Sequence, residues 1–347
     1  MGPLEIFQQC FLRKGRYKDP SLRVHPLEEL AGITNRSYSR RCQRLVTDFG
    51  IEESFYQAVV RMKEHHGVDI NVSAVRNITG RHANRAAELL AQVPAKEQKS
   101  KQMILEMDGE MVPLVEYKNS KDKRKTKTNF WGELRVSAMQ NHHELTWKYA
   151  SSFHSADELG SRTKIVMESM GLGDKTLVHG VGDGAKWIYE QGERIAGSNF
   201  NYTIDLPHLC EYFTEAVEAW QKEAGEEVQS LKKLADEGKI GEVVKKLERK
   251  LEEYPNHEAL NSCLRYIKNR PGQFEYDKIR AKELPVGSGK VESTHRSLMQ
   301  KRLKKPGTWW LKNNADKMAD LRTLRGNGQW YLLWQVELNT NSINLAA

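Results

Sequence analysis

Lys175-Thr-Leu-Val-His-Gly-Val-Gly-Asp183 is the stretch on which the fold turns. Its apolar run is too short for a helix and ends in glycines, so it reads as a short buried strand that stops at an aspartate. Residues from Ala185 to about Ala196 carry a helical pattern, and Asn201-Tyr-Thr-Ile-Asp205-Leu206 is strand-like again. Upstream, Met103 to Val115, Trp131 to Ala138 and Leu145 to Ala150 read as three strands, and Ser155 to Gly171 as a helix closed by glycine. A strand meander followed by βα units predicts an α/β domain with a mixed sheet.

Outward from this core the patterns change. Residues 1–95 are helical and basic. Ser54 to His66 places Phe55, Val59 and Met62 at helical spacing, Gly67 can close that helix, and Asn71 or Ser73 can cap the next, from Ala74 to about Leu90. Helix, short glycine turn and second helix outline a helix-turn-helix-like DNA-binding domain that would present Ser73, Arg76, Asn77 and Arg81. An ordinary α-hairpin with a solvated basic face fits the same spacing. A charged linker, Ala95 to Lys101, leads to the first part of the α/β core (101–210). A highly charged helical insertion (211–283), the core's C-terminal helices (284–330) and a tail (331–347) follow.

The chain has 347 residues, 39% hydrophobic and 29% charged, which is globular composition, with a net charge of +8 and a pI of about 9.1. The basic excess favours polyanionic partners. No apolar run approaches a bilayer span and no secretory leader pattern is seen, so a cytoplasmic protein is expected. The cysteines at 10, 42, 210 and 263 have no zinc-ribbon or disulfide-framework spacing. Gly287-Ser-Gly-Lys290 lacks the spacing of a phosphate loop, with Leu284 and Val291 where glycine and a hydroxyl residue are needed.

Three carboxylates carry the chemistry. Asp108 lies on a strand and precedes Gly109; Asp183 sits in Gly182-Asp-Gly184 where a strand meets a helix, the place where open α/β sheets bind ligands. Glu292 falls near the start of a helix, in Leu284-Pro-Val-Gly-Ser-Gly-Lys-Val-Glu292-Ser-Thr-His-Arg-Ser-Leu-Met-Gln-Lys-Arg302, surrounded by cations and hydroxyls. Converging at a sheet edge, they would hold two Mg²⁺ or Mn²⁺ ions roughly 3.5–4 Å apart, which suits attack on a phosphodiester. Alternation places Glu106 and Glu110 on the strand face of Asp108, so periodicity does not choose among the three. Asp205 rivals Asp183. Lys123, Arg124 and Lys125 in a hairpin tip, with Lys290, Arg296, Lys301 and Arg302, are candidate DNA contacts beside Arg76 and Arg81. Trp309 and Trp310 suit either stacking on an unpaired base or interdomain packing.

Taken together, Glu106-Met-Asp108-Gly, Gly182-Asp183-Gly-Ala-Lys-Trp-Ile188, Asp205-Leu-Pro-His208, Gly287-Ser-Gly-Lys-Val-Glu292-Ser-Thr-His and Lys301-Arg-Leu-Lys-Lys-Pro-Gly-Thr-Trp-Trp310 resemble the DDE transposases of bacterial insertion sequences. The likeness is to the ISKra and ISLre group of the Mutator-like assemblage. It implies an RNase H-like mixed sheet with a helical insertion, Asp108, Asp183 and Glu292 as the metal triad, and Asp205 and His208 as auxiliary residues. It also implies double-stranded DNA as partner, strand transfer at element ends, and a homo-oligomer on DNA. Asp205 stands where Mutator-like relatives carry a cysteine three residues before the histidine. A catalytically silent, transposase-derived DNA-binding protein is the other reading.

Overall fold

A single five-stranded mixed sheet organises the computed structural model, which describes residues 11–12, 23–24, 38–117, 126–221 and 223–335. The strands are β1 (Gln102–Tyr117), β2 (Lys127–Asn141), β3 (Trp147–Ser152), β4 (Leu177–Gly182) and β5 (Phe200–Ile204). Their spatial order is β3-β2-β1-β4-β5. The first three are an antiparallel meander, and β4 and β5 run parallel to β1. This mixed order is compatible with an RNase H-like fold. The expected hairpin tip, with Lys123, Arg124 and Lys125, lies outside the described residues, as does the tail beyond 335.

Helices fill the connections. Before the sheet come α1 (Arg40–Glu52), α2 (Phe55–His66) and α3 (Val72–Ala91). After β3 come α4 (Ala156–Met170) and, between β4 and β5, α5 (Lys186–Ala196). The charged segment forms α6 (Leu206–Val217), α7 (Gly225–Asp236), α8 (Ile240–Glu253), α9 (Glu258–Lys268) and α10 (Tyr276–Arg280). Last are α11 (Gly289–Thr294), which widens into a π turn over His295–Gln300, and α12 (Lys312–Gly326).

Most of these boundaries follow from local chemistry. Ser39, Ser54, Asn71 and Ser155 each accept a backbone N–H of their helix's first turn, supplying a partner the helix cannot provide itself. Gly67 and Gly171 close α2 and α4 in the left-handed region.

Alternation along β1 sorts its side chains onto two cores. Met103, Leu105 and Met107 join an apolar cluster with α4 and the helices of the charged segment, on one face of the sheet. Val112 and Leu114 join the other, with α11, α12, Ile51 of α1, and Ala83 and Ala86 of α3. The N-terminal helices therefore pack on the same sheet face as the chain's C-terminal helices. Where β1 runs past β4, the Trp310 segment covers its edge: Trp310 N–H donates to the Pro113 carbonyl at 3.1 Å and Val115 N–H to the Trp310 carbonyl at 2.7 Å. Proline is tolerated at 113 because it has no N–H to leave unpaired.

Candidate functional site

Register places the acids. The last β1–β4 pair is Glu106 with Val181, so two residues on, Asp108 and Asp183 stand side by side just past the parallel pairing. The last β4–β5 pair, Gly182 with Ile204, extends that transverse row to Asp205. Asp108 is half-buried. Burial pushes its carboxyl above the usual range; His295 and the Gly109 N–H oppose this, while the nearby charges of Asp183 and Glu110 add to it. One Asp108 oxygen accepts the Gly109 N–H at 2.7 Å, and one Asp183 oxygen accepts the Ala185 N–H at 2.8 Å.

The loop holding Asp183 is clamped from three sides. Tyr266, on α9, donates its hydroxyl to the Asp183 carbonyl at 2.6 Å; Arg270 donates to the Gly184 carbonyl at 2.9 Å; and the Gly184 N–H donates to the Tyr202 hydroxyl at 3.0 Å. Gly184 has φ of 87°, and a Cβ there would lie 2.6 Å from Arg270 Nε, so a side chain at this position would be strained. The charged helices thus position the second aspartate, a function their sequence does not announce.

Glu292 reaches this end of the sheet on α11, which has no side-chain cap of its own. Two strand carboxylates serve instead. Glu106, buried on β1, accepts the Val291 N–H at 2.8 Å, and Asp205 accepts the Ser288 N–H at 2.9 Å as well as the Ser288 hydroxyl. Negative charge at a helix N-terminus is favourable, and hydrogen bonds to charged groups contribute about 1.5–3 kcal/mol each. Burial pushes the Glu106 carboxyl up to about 7 against those amide contacts. Asp205 also caps α6 through the His208 N–H. Glu106 and Asp205 are therefore the clamps that seat α11.

The third acid of the β1 face, Glu110, is engaged by Gln300 and Lys304. Burial favours its neutral form, but His295 and Lys304 outweigh that and hold its carboxyl below the usual range. His295 is the residue that spacing missed. It is buried in the π turn, with Nδ1 3.2 Å from a Glu110 oxygen and Nε2 3.6 Å from an Asp108 oxygen. Its position three residues after Glu292, one turn along the same helix, was the available signal.

The Glu292 carboxylate itself is exposed and paired with Arg296. Among the described residues, no three His, Cys, Asp or Glu side chains form a metal-holding group. The donor chemistry of the aspartate pair fits a hard divalent ion: two carboxylates from neighbouring strands, each with only one oxygen committed to a short hydrogen bond.

The remaining predicted residues divide. His208 pairs through Nδ1 with Glu211 at 3.0 Å and packs edge-on against Tyr212 and Tyr266. Lys290 lies 5.6 Å above the Trp147 ring and 5.8 Å above that of Tyr149, while Lys301 is exposed. Arg302 requires a correction. Expected as a DNA contact, it is 2% exposed, donates Nε to the Gly50 carbonyl at 3.1 Å, and lies between the Phe55 and Trp310 rings. With Arg322, which donates to the Ile51 carbonyl at 2.7 Å, it satisfies the C-terminal end of α1. One side of Trp310 accordingly packs against Phe55 and Arg302. Arg76 and Arg81 on α3 line a cleft against α12.

No family model matches the chain, and no curated protein matches it. Among solved structures it is similar to the Drosophila P element transposase strand transfer complex, with a TM-score of 0.33 and 9% identity over 88% of this chain and 83% of that one. Likeness this slight carries no inference about chemistry. Among the described residues, no helix is long and apolar enough to cross a membrane.

Proposed function

We propose that this chain is a DDE-type transposase that cleaves and joins DNA at insertion-sequence ends with divalent metal. One observation carries the proposal: Asp108 and Asp183 end up side by side just past the parallel pairing of β1 with β4, and the helix bearing Glu292 is pinned there by Glu106 and Asp205. Asp108 and Asp183 would hold the ion, and Glu292 would join them. A bound Mg²⁺ or Mn²⁺ supplies Lewis acidity toward a phosphodiester and activation of the attacking hydroxyl. The chain's own residues do the positioning. Tyr266, Tyr202 and Arg270 hold the Asp183 loop, Glu106 and Asp205 hold α11, and His295 faces the Asp108 and Glu110 carboxylates. Exposed Lys301 and the cations of α3 supply attraction to phosphate, and DNA affinity falls steeply with salt.

A second reading, a silent DNA-binding descendant, is favoured by the pairing of Glu292 with Arg296. Cleavage separates the two. With Mn²⁺ and duplex DNA carrying the element end, wild type nicks the strand, and Asp183→Asn reduces the rate at least about a thousandfold, several kcal/mol of barrier, with DNA affinity retained. Equal cleavage by the variant removes Asp183 from the chemistry. Binding with no cleavage by wild type leaves the silent reading.

A further inference from the structure

Between α3 and α12 lies a cleft of about 640 Å³, within the roughly 300–1,000 Å³ range of small-ligand sites. Its floor is apolar: Ile78, Ala83, Trp310 and Met318 are all buried. Its lining carries Arg76, Arg81 and Lys317 as cations and Asn77, Asn84 and Asn314 as amides, and no carboxylate is among the described residues that line it. That combination suits a group with a flat apolar face, a hydrogen-bonding edge and an attached anion. A duplex backbone alone has no use for a buried apolar floor.

Gly80 supplies an independent observation. It sits well inside the 20-residue helix α3 and lines this cleft, yet a Cβ built there meets nothing within 4 Å among the described residues. Glycine in a helix interior weakens the helix relative to alanine. Its bareness leaves the wall of the cleft open at that point.

We infer that this cleft binds one unpaired nucleotide of a DNA strand, its base on the apolar floor, its edge read by the amides and its phosphate held by Arg76 and Lys317. The inference rests on the DNA-processing role proposed above and adds a site for a frayed or extruded end. Stacking an unpaired base contributes enough for about tenfold in affinity.

Fluorescence anisotropy on the full chain tests this with two probes, a blunt duplex and the same duplex bearing a short unpaired 3′ tail. Wild type is expected to bind the tailed probe about tenfold more tightly. Gly80→Leu, which adds a good helix former and fills the cleft, is expected to keep or raise Tm while erasing that preference. Lys317→Gln is expected to weaken the tailed probe more than the blunt one. Equal wild-type binding of both probes, or a Gly80→Leu variant that folds and keeps the preference, overturns the cleft assignment and leaves the transposase proposal standing. Failure to bind either probe overturns both.

Discussion

Helices α2 to α4 and helix α11 begin in different ways. Ser54, Asn71 and Ser155 cap their helices from the adjoining residue, whereas the start of α11 is held at the Val291 and Ser288 amides by Glu106 and Asp205, both far away in sequence. The C-terminal end of α1 is treated similarly, by Arg302 and Arg322. A local cap decides only that a helix starts. A cap supplied across the fold decides where the helix sits, and here it decides where Glu292 sits. The helix that carries Glu292 is thus placed by residues distant in sequence, as the end of α1 is.

Cap removal sharpens that contrast. Glu106→Ala leaves the Val291 amide buried without a partner, so it is expected to cost about 2–3 kcal/mol in denaturant unfolding and to release α11. Ser155→Ala is expected to cost only about 1 kcal/mol and leave α11 protected. Equal losses, with unchanged hydrogen exchange at Val291, would show that Glu106 is no more than another cap.

Acid provides a smaller test, directed at the N-terminal helices. His82 on α3 has Nε2 3.2 Å from Gln43 Oε1, and its ring centroid lies 4.6 Å from that of Trp334. Gln43 donates its own Nε2 to the Tyr38 carbonyl, so His82 must be the donor in this contact. Burial, with the charges of Arg81 and Arg40, pushes His82 down to about 4 from 6.5. A lowered folded value means that the unfolded chain binds the extra proton. Stability is thus fully present above pH 6.5 and is lost as pH falls toward about 4, by on the order of 2 kcal/mol. His82→Gln is expected to flatten that part of the profile. An unaltered acid limb would mean that His82 is not seated in this contact.

Much of the fold was legible because its signals are local. The strand expected from Met103 to Val115 runs from Gln102 to Tyr117, and the helix expected from Ser155 to Gly171 is capped by those two residues. Period-two alternation, a serine before a helix and a glycine after it act within a few residues. The strand end at glycine-flanked Asp183 was legible for the same reason. The division of labour among Glu106, Asp108 and Glu110 was not, because all three share one strand face and only the docking of α11 and its π turn distinguishes them. Arg302 misled because a basic stretch looks alike whether it meets phosphate or a helix C-terminus. His295 was missed because its partners are assembled only by the sheet.

The most direct test of the central claim is anomalous scattering from crystals of the protein soaked in Mn²⁺. The account predicts a peak between the carboxylates of Asp108 and Asp183, with Glu292 turned from Arg296 toward it. An empty aspartate pair at saturating Mn²⁺, with Glu292 still on Arg296, would contradict it.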